Sequence, residues 1–277
     1  MHFLPTAPRA LAAAALGLAV ANVVHLWSLL LRAISSGEQP FHLSELLLRL
    51  VLLSLGPLLV ATAIRRAGRA SYSLEAERLV IRRRRAVVDI PFESIAEVRL
   101  SRLPFPTPAL AFRLRSGRMA RRIEVPDPAS LLEALAPRVP SAEALRGHRQ
   151  IAFATARAPT LRRRGRRVVV KFVLFPLVPA LVLFHAYQSI GFGGPFGEYH
   201  LYGAAAYVRT LMAHAVGAVA VLLLYAAAWR IVGETCAVIA TAVWPDRART
   251  CRRIVEGVCA VAYYAGVPAF LGLRFLA

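Results

Sequence analysis

The sequence predicts an α-helical integral membrane protein of about five transmembrane helices, with one small β domain inserted between the second and third. Its 277 residues are 57% hydrophobic with a mean hydropathy of +0.54, more apolar than a soluble domain of this length requires. The same chain carries a formal net charge of +20, which can coexist with that apolar content only if the two are segregated. They are segregated: long uncharged runs are separated by arginine-rich stretches, and residues 68–167 switch to strand-like alternation. Lys171 is the single lysine among 35 basic residues, which points to a GC-rich bacterial genome. Cys236, Cys251 and Cys259 are too few and too scattered for a disulfide framework or a zinc module.

The first apolar run, RALAAAALGLAVANVVHLWSLLLR, has an uncharged interior of about 22 residues, enough to cross a bilayer at ~1.5 Å per residue. It predicts a helix over 10–32; AVA at 19–21 also resembles a leader-peptide cleavage site, so removal of this segment is the alternative. A second helix over 45–64 carries Gly56-Pro57 at its middle, a kink signal, and completes a hairpin of residues 1–67. After the β domain (68–140) and a basic linker (141–167), residues 168–277 predict three more helices, over 168–190, 208–232 and 254–276. Lys171 can snorkel at the start of the third, the fourth continues towards Trp244, and the fifth contains Pro268. Ala13, Gly17 and Ala21, and Ala213 with Gly217, form small-residue ridges that permit close helix approach.

Orientation follows from the arginines. Connections 33–44 and 191–207 hold no basic residue, whereas Arg65, Arg66 and Arg69, TLRRRGRRVVVK and DRARTCRR flank the other helix ends. Five consistent crossings then place the N-terminus and the β domain in the cytoplasm and the C-terminus outside, in a bacterial inner membrane.

Within 68–140, Ala96, Val98 and Leu100 alternate with Glu97, Arg99 and Ser101, and Leu110, Phe112 and Leu114 with Ala111, Arg113 and Arg115. Leu79 with Ile81, and Val88 with Ile90, mark two earlier strands with Arg82–Arg85 at the hairpin tip between them, and RSGR at 115–118 reads as a second hairpin turn. The strands end in VPDPASLLEALAPRV: Asp127 is an N-cap, Pro128 fits the first helical position, Leu131, Leu132 and Leu135 make an apolar face, and Pro137 stops the helix.

The progression Tyr72, Leu74, Leu79, Ile81, Ile90, Pro91, Ile95, Val98 resembles the opening of bacterial pleckstrin-homology-like domains. The closing Ser116, Gly117, Val125, Asp127, Pro128, Leu131, Leu132, Ala134 and Leu135 is similar as well. The likeness covers about residues 72–136 only. It implies a β-sandwich or partly open barrel with a C-terminal helix, often joined to membrane helices, and it carries no catalytic residue.

Clustered arginine beside an anionic leaflet gains on the order of 1 kcal/mol per residue. Arg82, Arg83, Arg84 and Arg85 with Arg162, Arg163, Arg164, Arg166 and Arg167 are therefore candidate lipid-headgroup contacts; the other reading is a solvated loop and ordinary positive-inside flanks. No aromatic residues interleave with these clusters as nucleic-acid stacking requires, so nucleic acid is excluded as a partner.

HExxH, GxSxG, Walker and paired Cys-x-x-Cys motifs are missing, so no catalytic residue and no cofactor is assigned. One polar layer remains: the predicted topology puts His25, His185 and His214 at one outer-leaflet depth, with Asn22, Gln188 and Thr210 as helical neighbours. Three readings apply: an interhelical hydrogen-bond cluster, a metal or haem site, or a proton or solute path. The expectation for the whole chain is a non-catalytic membrane scaffold or regulator docking lipid headgroups or a protein partner; a small transporter or redox protein using the histidine layer is the alternative.

Overall fold

The structure, a computed structural model, describes residues 6–36, 42–83, 86–101, 109–125, 127–161 and 169–276. Among the described residues, four helices are long and apolar enough to cross a membrane: α1 (Thr6–Ser36), α2 (Leu43–Ala67), α6 (Val170–Phe192) and α7 (Gly197–Val243). Their outward side chains include Leu52, Leu59, Val178 and Leu181, each more than half exposed, a surface that water would not tolerate and lipid does. The fifth predicted run is helical within α8 (Ala248–Leu276).

Proline shapes these helices. In α2 the backbone widens to a π-helical turn over Leu50–Leu55 just before Pro57, and in α6 over Val170–Leu174 just before Pro176. Proline offers no N–H, and the wider turn accommodates that gap without breaking the rod. Helix α7 starts eleven residues before the predicted 208, and is interrupted at Gly203, whose φ of 81° belongs to glycine.

The chain forms two compact units that cut across its helices. One comprises Asn22–Val51, Arg163–Gly233 and Glu256–Ala277. Its core joins Val23, Leu26, Leu46, Leu50, Ala220 and Leu224. On α1 the buried stripe runs Ala12, Ala19, Val23, Leu26 at helical spacing, while Gly17 and Ala21 face outward, so the predicted Ala13–Gly17–Ala21 ridge is not the packing face. Gly217 lies beside the Leu43 side chain, 3.8 Å from where a Cβ would stand, an ordinary contact, while Ala213 is exposed.

The other unit, Met1–Ala21, Leu52–Arg162 and Glu234–Val255, contains the β structure. Strands β1 (Ala70–Leu74), β2 (Arg78–Arg83) and β3 (Ala86–Pro91) form one antiparallel sheet, and β4 (Ile95–Leu100), β5 (Ala109–Leu114) and β6 (Met119–Glu124) a second. Both predicted hairpins are present: Arg83 pairs with Ala86, and Gly117, at φ 77°, turns β5 into β6. Leu79, Ile81, Ile90, Val98, Leu110, Phe112 and Ile123 meet in one core closed by Leu131, Leu132 and Leu135 of α3 (Pro128–Leu135). Asp127 stands at the N-cap, but its carboxylate makes no capping hydrogen bond.

Two expectations are corrected. A β-bulge between Ile95 and Glu97 turns Ala96 outward, so the inward set is Ile95, Val98 and Leu100 rather than an unbroken Ala96–Val98–Leu100 alternation. The stretch read as the basic linker 141–167 is structured through Leu161, as α4 (Pro140–Arg146) and α5 (Arg149–Leu161). Ala142 and Ile151 are buried in the β core, and the Ser141 hydroxyl accepts the Val98 N–H at 2.8 Å, covering the β4 edge.

Two carboxylates fasten this unit, Glu124 buried and Glu234 21% exposed. Glu124, at the end of β6 and 2% exposed, takes Arg9 of α1 on one oxygen at 3.0 Å and Arg65 of α2 on the other at 3.6 Å; Arg9 also donates to the Ser101 hydroxyl at 2.6 Å. Glu234 of α7 holds the Arg252 fork of α8 at 2.9 and 3.4 Å and Arg157 of α5 at 3.7 Å. Removing one member of a buried set like that at Glu124 strands charge and costs about 3–5 kcal/mol. Glu124→Leu is therefore expected to lower unfolding stability by about that much, and Arg9→Met/Glu124→Leu by less than the sum of the single changes, measured by thermal unfolding in detergent. Cleavage after Ala21 would remove Arg9 from this site; intact mass of the purified protein is expected to retain the α1 segment.

Candidate functional site

Two sets of residues are candidates, an arginine surface and a polar cluster among apolar helices, one in each unit. On the first, four exposed arginines are paired with acids two or three residues away or across a strand. Arg78 meets Glu75 at 2.6 Å and Asp89 at 3.8 Å, Arg99 and Arg113 share Glu97, and Arg146 pairs with Glu143. The hydrogen bond from Arg99 holds the Glu97 carboxyl below the ordinary carboxylate range. Arg66, Arg69, Arg82, Arg115 and Arg118 are also exposed, and among the described residues none of them has a carboxylate within ion-pair distance.

Of the predicted headgroup contacts, Arg82 and Arg83 close strand β2, and Arg82 lies opposite Val87, itself 62% exposed, on the solvent face of the hairpin. Arg84, Arg85, Arg162, Arg163, Arg164, Arg166 and Arg167 lie outside the described residues. Arg66, Arg69, Arg115 and Arg118 were assigned to flanks and a turn by sequence; their lack of a partner emerges only when the acids are placed.

In the other unit the histidines do not gather. His25 and His185 are exposed, and His214 is half-buried with Nδ1 2.9 Å from the Thr210 carbonyl and its ring against Phe184 and Tyr187. Among the described residues no group of three or more His, Cys, Asp or Glu side chains is placed to hold a metal ion. Asn22 donates to the Arg49 carbonyl at 3.2 Å, where the π-helical turn of α2 begins.

What the layer does contain is a carboxylate from the predicted connection 191–207. Glu198, 6% exposed in the first turn of α7, accepts from Gln188 Nε2 at 2.5 Å and from the Thr210 hydroxyl at 2.6 Å. Its own backbone N–H donates to Gln188 Oε1 at 3.2 Å. Gln188 is fully buried, the last of the inward stripe Pro176, Ala180, Phe184, Gln188 on α6. An acid in a first helical turn is favoured by the backbone dipole, and this one, GE directly after a glycine-rich bend, was a readable helix-start signal. Around it Phe184, Phe196, Tyr199 and Tyr207 make edge and stacked ring contacts, and Tyr207 donates to the Pro195 carbonyl at 3.3 Å. Chemically the arrangement is a closed set of donors and acceptors that joins α6 to α7.

Comparison with protein-family models, curated proteins and solved structures found no match. The functional reading therefore rests on the residues themselves.

Deleting a hydrogen-bond partner from a buried carboxylate costs about 1–3 kcal/mol. Gln188→Leu and Thr210→Val are expected to lower stability by that amount, while His25→Ala and His185→Ala stay within about 0.5 kcal/mol as exposed positions do. Thermal unfolding of the four variants in one detergent checks this.

Proposed function

We propose that this protein is a non-catalytic scaffold or regulator of the bacterial inner membrane, whose pleckstrin-homology-like β domain faces the cytoplasm and docks anionic lipid headgroups. The observation that carries the reading is the set of exposed arginines, Arg66, Arg69, Arg82, Arg115 and Arg118, with no acidic partner among the described residues. A guanidinium already paired gains little from a phosphate, whereas one without a carboxylate gains a charge-assisted, often bidentate bond. Arg66 and Arg69 directly follow the apolar stretch of α2, where the anionic surface of an inner leaflet would lie.

Two further observations support the domain reading. The two three-stranded antiparallel sheets share one core with a following helix, as the resemblance implies. Two polar groups buried beside that core hold elements together: Glu124 by Arg9 and Arg65, and Ser101 by Arg9. Such a unit has the construction of a reader attached to its anchors.

Two measurements test it. Fluorescent protein inserted at Gly117, a solvent-exposed turn, is expected to fluoresce, and alkaline phosphatase at the same site to stay inactive; the reverse pattern places the β domain outside. Native mass spectrometry of the full chain from mixed micelles is expected to retain phosphatidylglycerol over phosphatidylcholine. Replacing Arg115 and Arg118 with Gln should reduce that preference roughly thirtyfold, at about 1 kcal/mol per arginine. Equal retention of both lipids by the unaltered protein overturns headgroup docking and leaves a protein partner as the use of this surface.

A further inference from the structure

Strand β3 is an edge: it pairs with β2, and among the described residues no strand pairs with its other side. It is also exposed, with Val87 at 62%, Val88 at 37% and Asp89 at 48%, although the Val88 row lies on the core face beside fully buried Ile81. An open edge with two valines is a hazard unless it has an intended partner. The opposite edge strand of the neighbouring sheet shows the contrast, since β4 is closed by Ser141.

The pairing register identifies the partner. Two rows cross the face of this sheet that points away from the core, Ser71–Arg82–Val87, which is open to solvent, and Ser73–Val80–Asp89, where Val80 is covered at 4% exposed and Asp89 is open. An antiparallel copy of β3 centred on Val88 would set Val87 of one chain against Asp89 of the other. The rows then join as Ser71–Arg82–Val87–Asp89–Val80–Ser73, and Arg82 of each chain lies two strands, roughly 9–10 Å at the backbone, from Asp89 of its neighbour. A long arginine side chain spans that gap across a valine, and the two-fold operation supplies the ion pair twice. Asp89, which Arg78 of its own chain approaches to 3.8 Å, then takes a second guanidinium, and in the dimer Arg66, Arg69, Arg115 and Arg118 are the arginines left open to a headgroup. We infer that β3 is the interface between two copies of this chain, forming one continuous six-stranded sheet around a Val88–Val88 pair. The valines supply apolar contact and the Arg82–Asp89 pairs fix direction and register, because a one-residue slip separates the charges.

Disulfide trapping tests the register. Directly opposed antiparallel residues have Cα atoms about 4.5–5.5 Å apart, inside the ~4.4–6.8 Å that a disulfide accepts. Val87 residues of the two chains would be displaced by two positions, about 8 Å apart, outside that range. With Cys236, Cys251 and Cys259 changed to Ser, Val88→Cys is expected to give a covalent dimer on oxidation in native membranes, and Val87→Cys is not. Adding Asp89→Arg should reduce the Val88→Cys dimer on the order of fivefold, and adding Arg82→Glu with Asp89→Arg should restore it. The unsubstituted chain in polymer-bounded bilayer discs should show twice its 30.2 kDa polypeptide mass. Absence of the Val88→Cys dimer together with a single-chain mass overturns the proposal. So does equal trapping at Val87, which signals random collision, or indifference of trapping to the Asp89 and Arg82 changes.

Discussion

The buried contact of Glu124 with Arg9 and Arg65 is the constraint on which the organisation of the β-containing unit depends. It joins three parts far apart in sequence: the first turn of α1, the last turns of α2 and the final residue of β6. A carboxylate 2% exposed cannot remain charged in an apolar setting without such partners, nor can an arginine 3% exposed. Each group therefore makes the others obligatory, and the three segments have to arrive together. Glu234 repeats the arrangement with Arg157 and Arg252, so α5, α7 and α8 are bound by the same chemistry. Arginine suits both places because its planar fork satisfies two oxygens at once.

The other buried carboxylate, Glu198, is handled differently. Its partners are an amide and a hydroxyl, and the backbone dipole of the first turn of α7 is the positive contribution it sits in. Neutral donors suffice there because the helix start supplies N–H groups that need an acceptor in any case. Gln188 uses both ends of its amide, donating to the carboxylate and accepting the Glu198 N–H. Helices α6 and α7 are thus fixed in register by a reciprocal pair rather than by bulk apolar contact, which in lipid gives no direction.

Much of the architecture was legible in sequence because it rests on local rules. The hairpin at Arg115–Arg118, the Ile90-Pro91 strand end, the Pro128 helix start and the membrane-length runs each follow from a residue whose backbone or hydropathy leaves one choice. What was not legible depends on distant partners. The bulge at Ala96 exists because Leu114 and Arg113 meet Ile95 and Glu97 out of simple alternation. Residues 141–161 look like a basic linker until Ala142 and Ile151 find the β core. Glu198 looks like a loop acid until Gln188 and Thr210 reach it, and the stripe on α1 can be rotated by one residue without changing its composition.

The same limit governs how the positive charge is read. In sequence all arginines count alike, and a net charge of +20 says only that the chain favours anionic surroundings. Once the acids are placed, the arginines separate into two kinds. Arg9, Arg65, Arg157 and Arg252 hold elements together and cannot be spared for an external ligand. Arg66, Arg69, Arg82, Arg115 and Arg118 stand in solvent without an acid beside them. Only the second kind can change partner at low cost, since moving an exposed guanidinium from water to a phosphate breaks no contact that the fold needs. Such residues are the ones open to a ligand or partner read by charge, whereas neutralising the first kind removes the domain along with its surface.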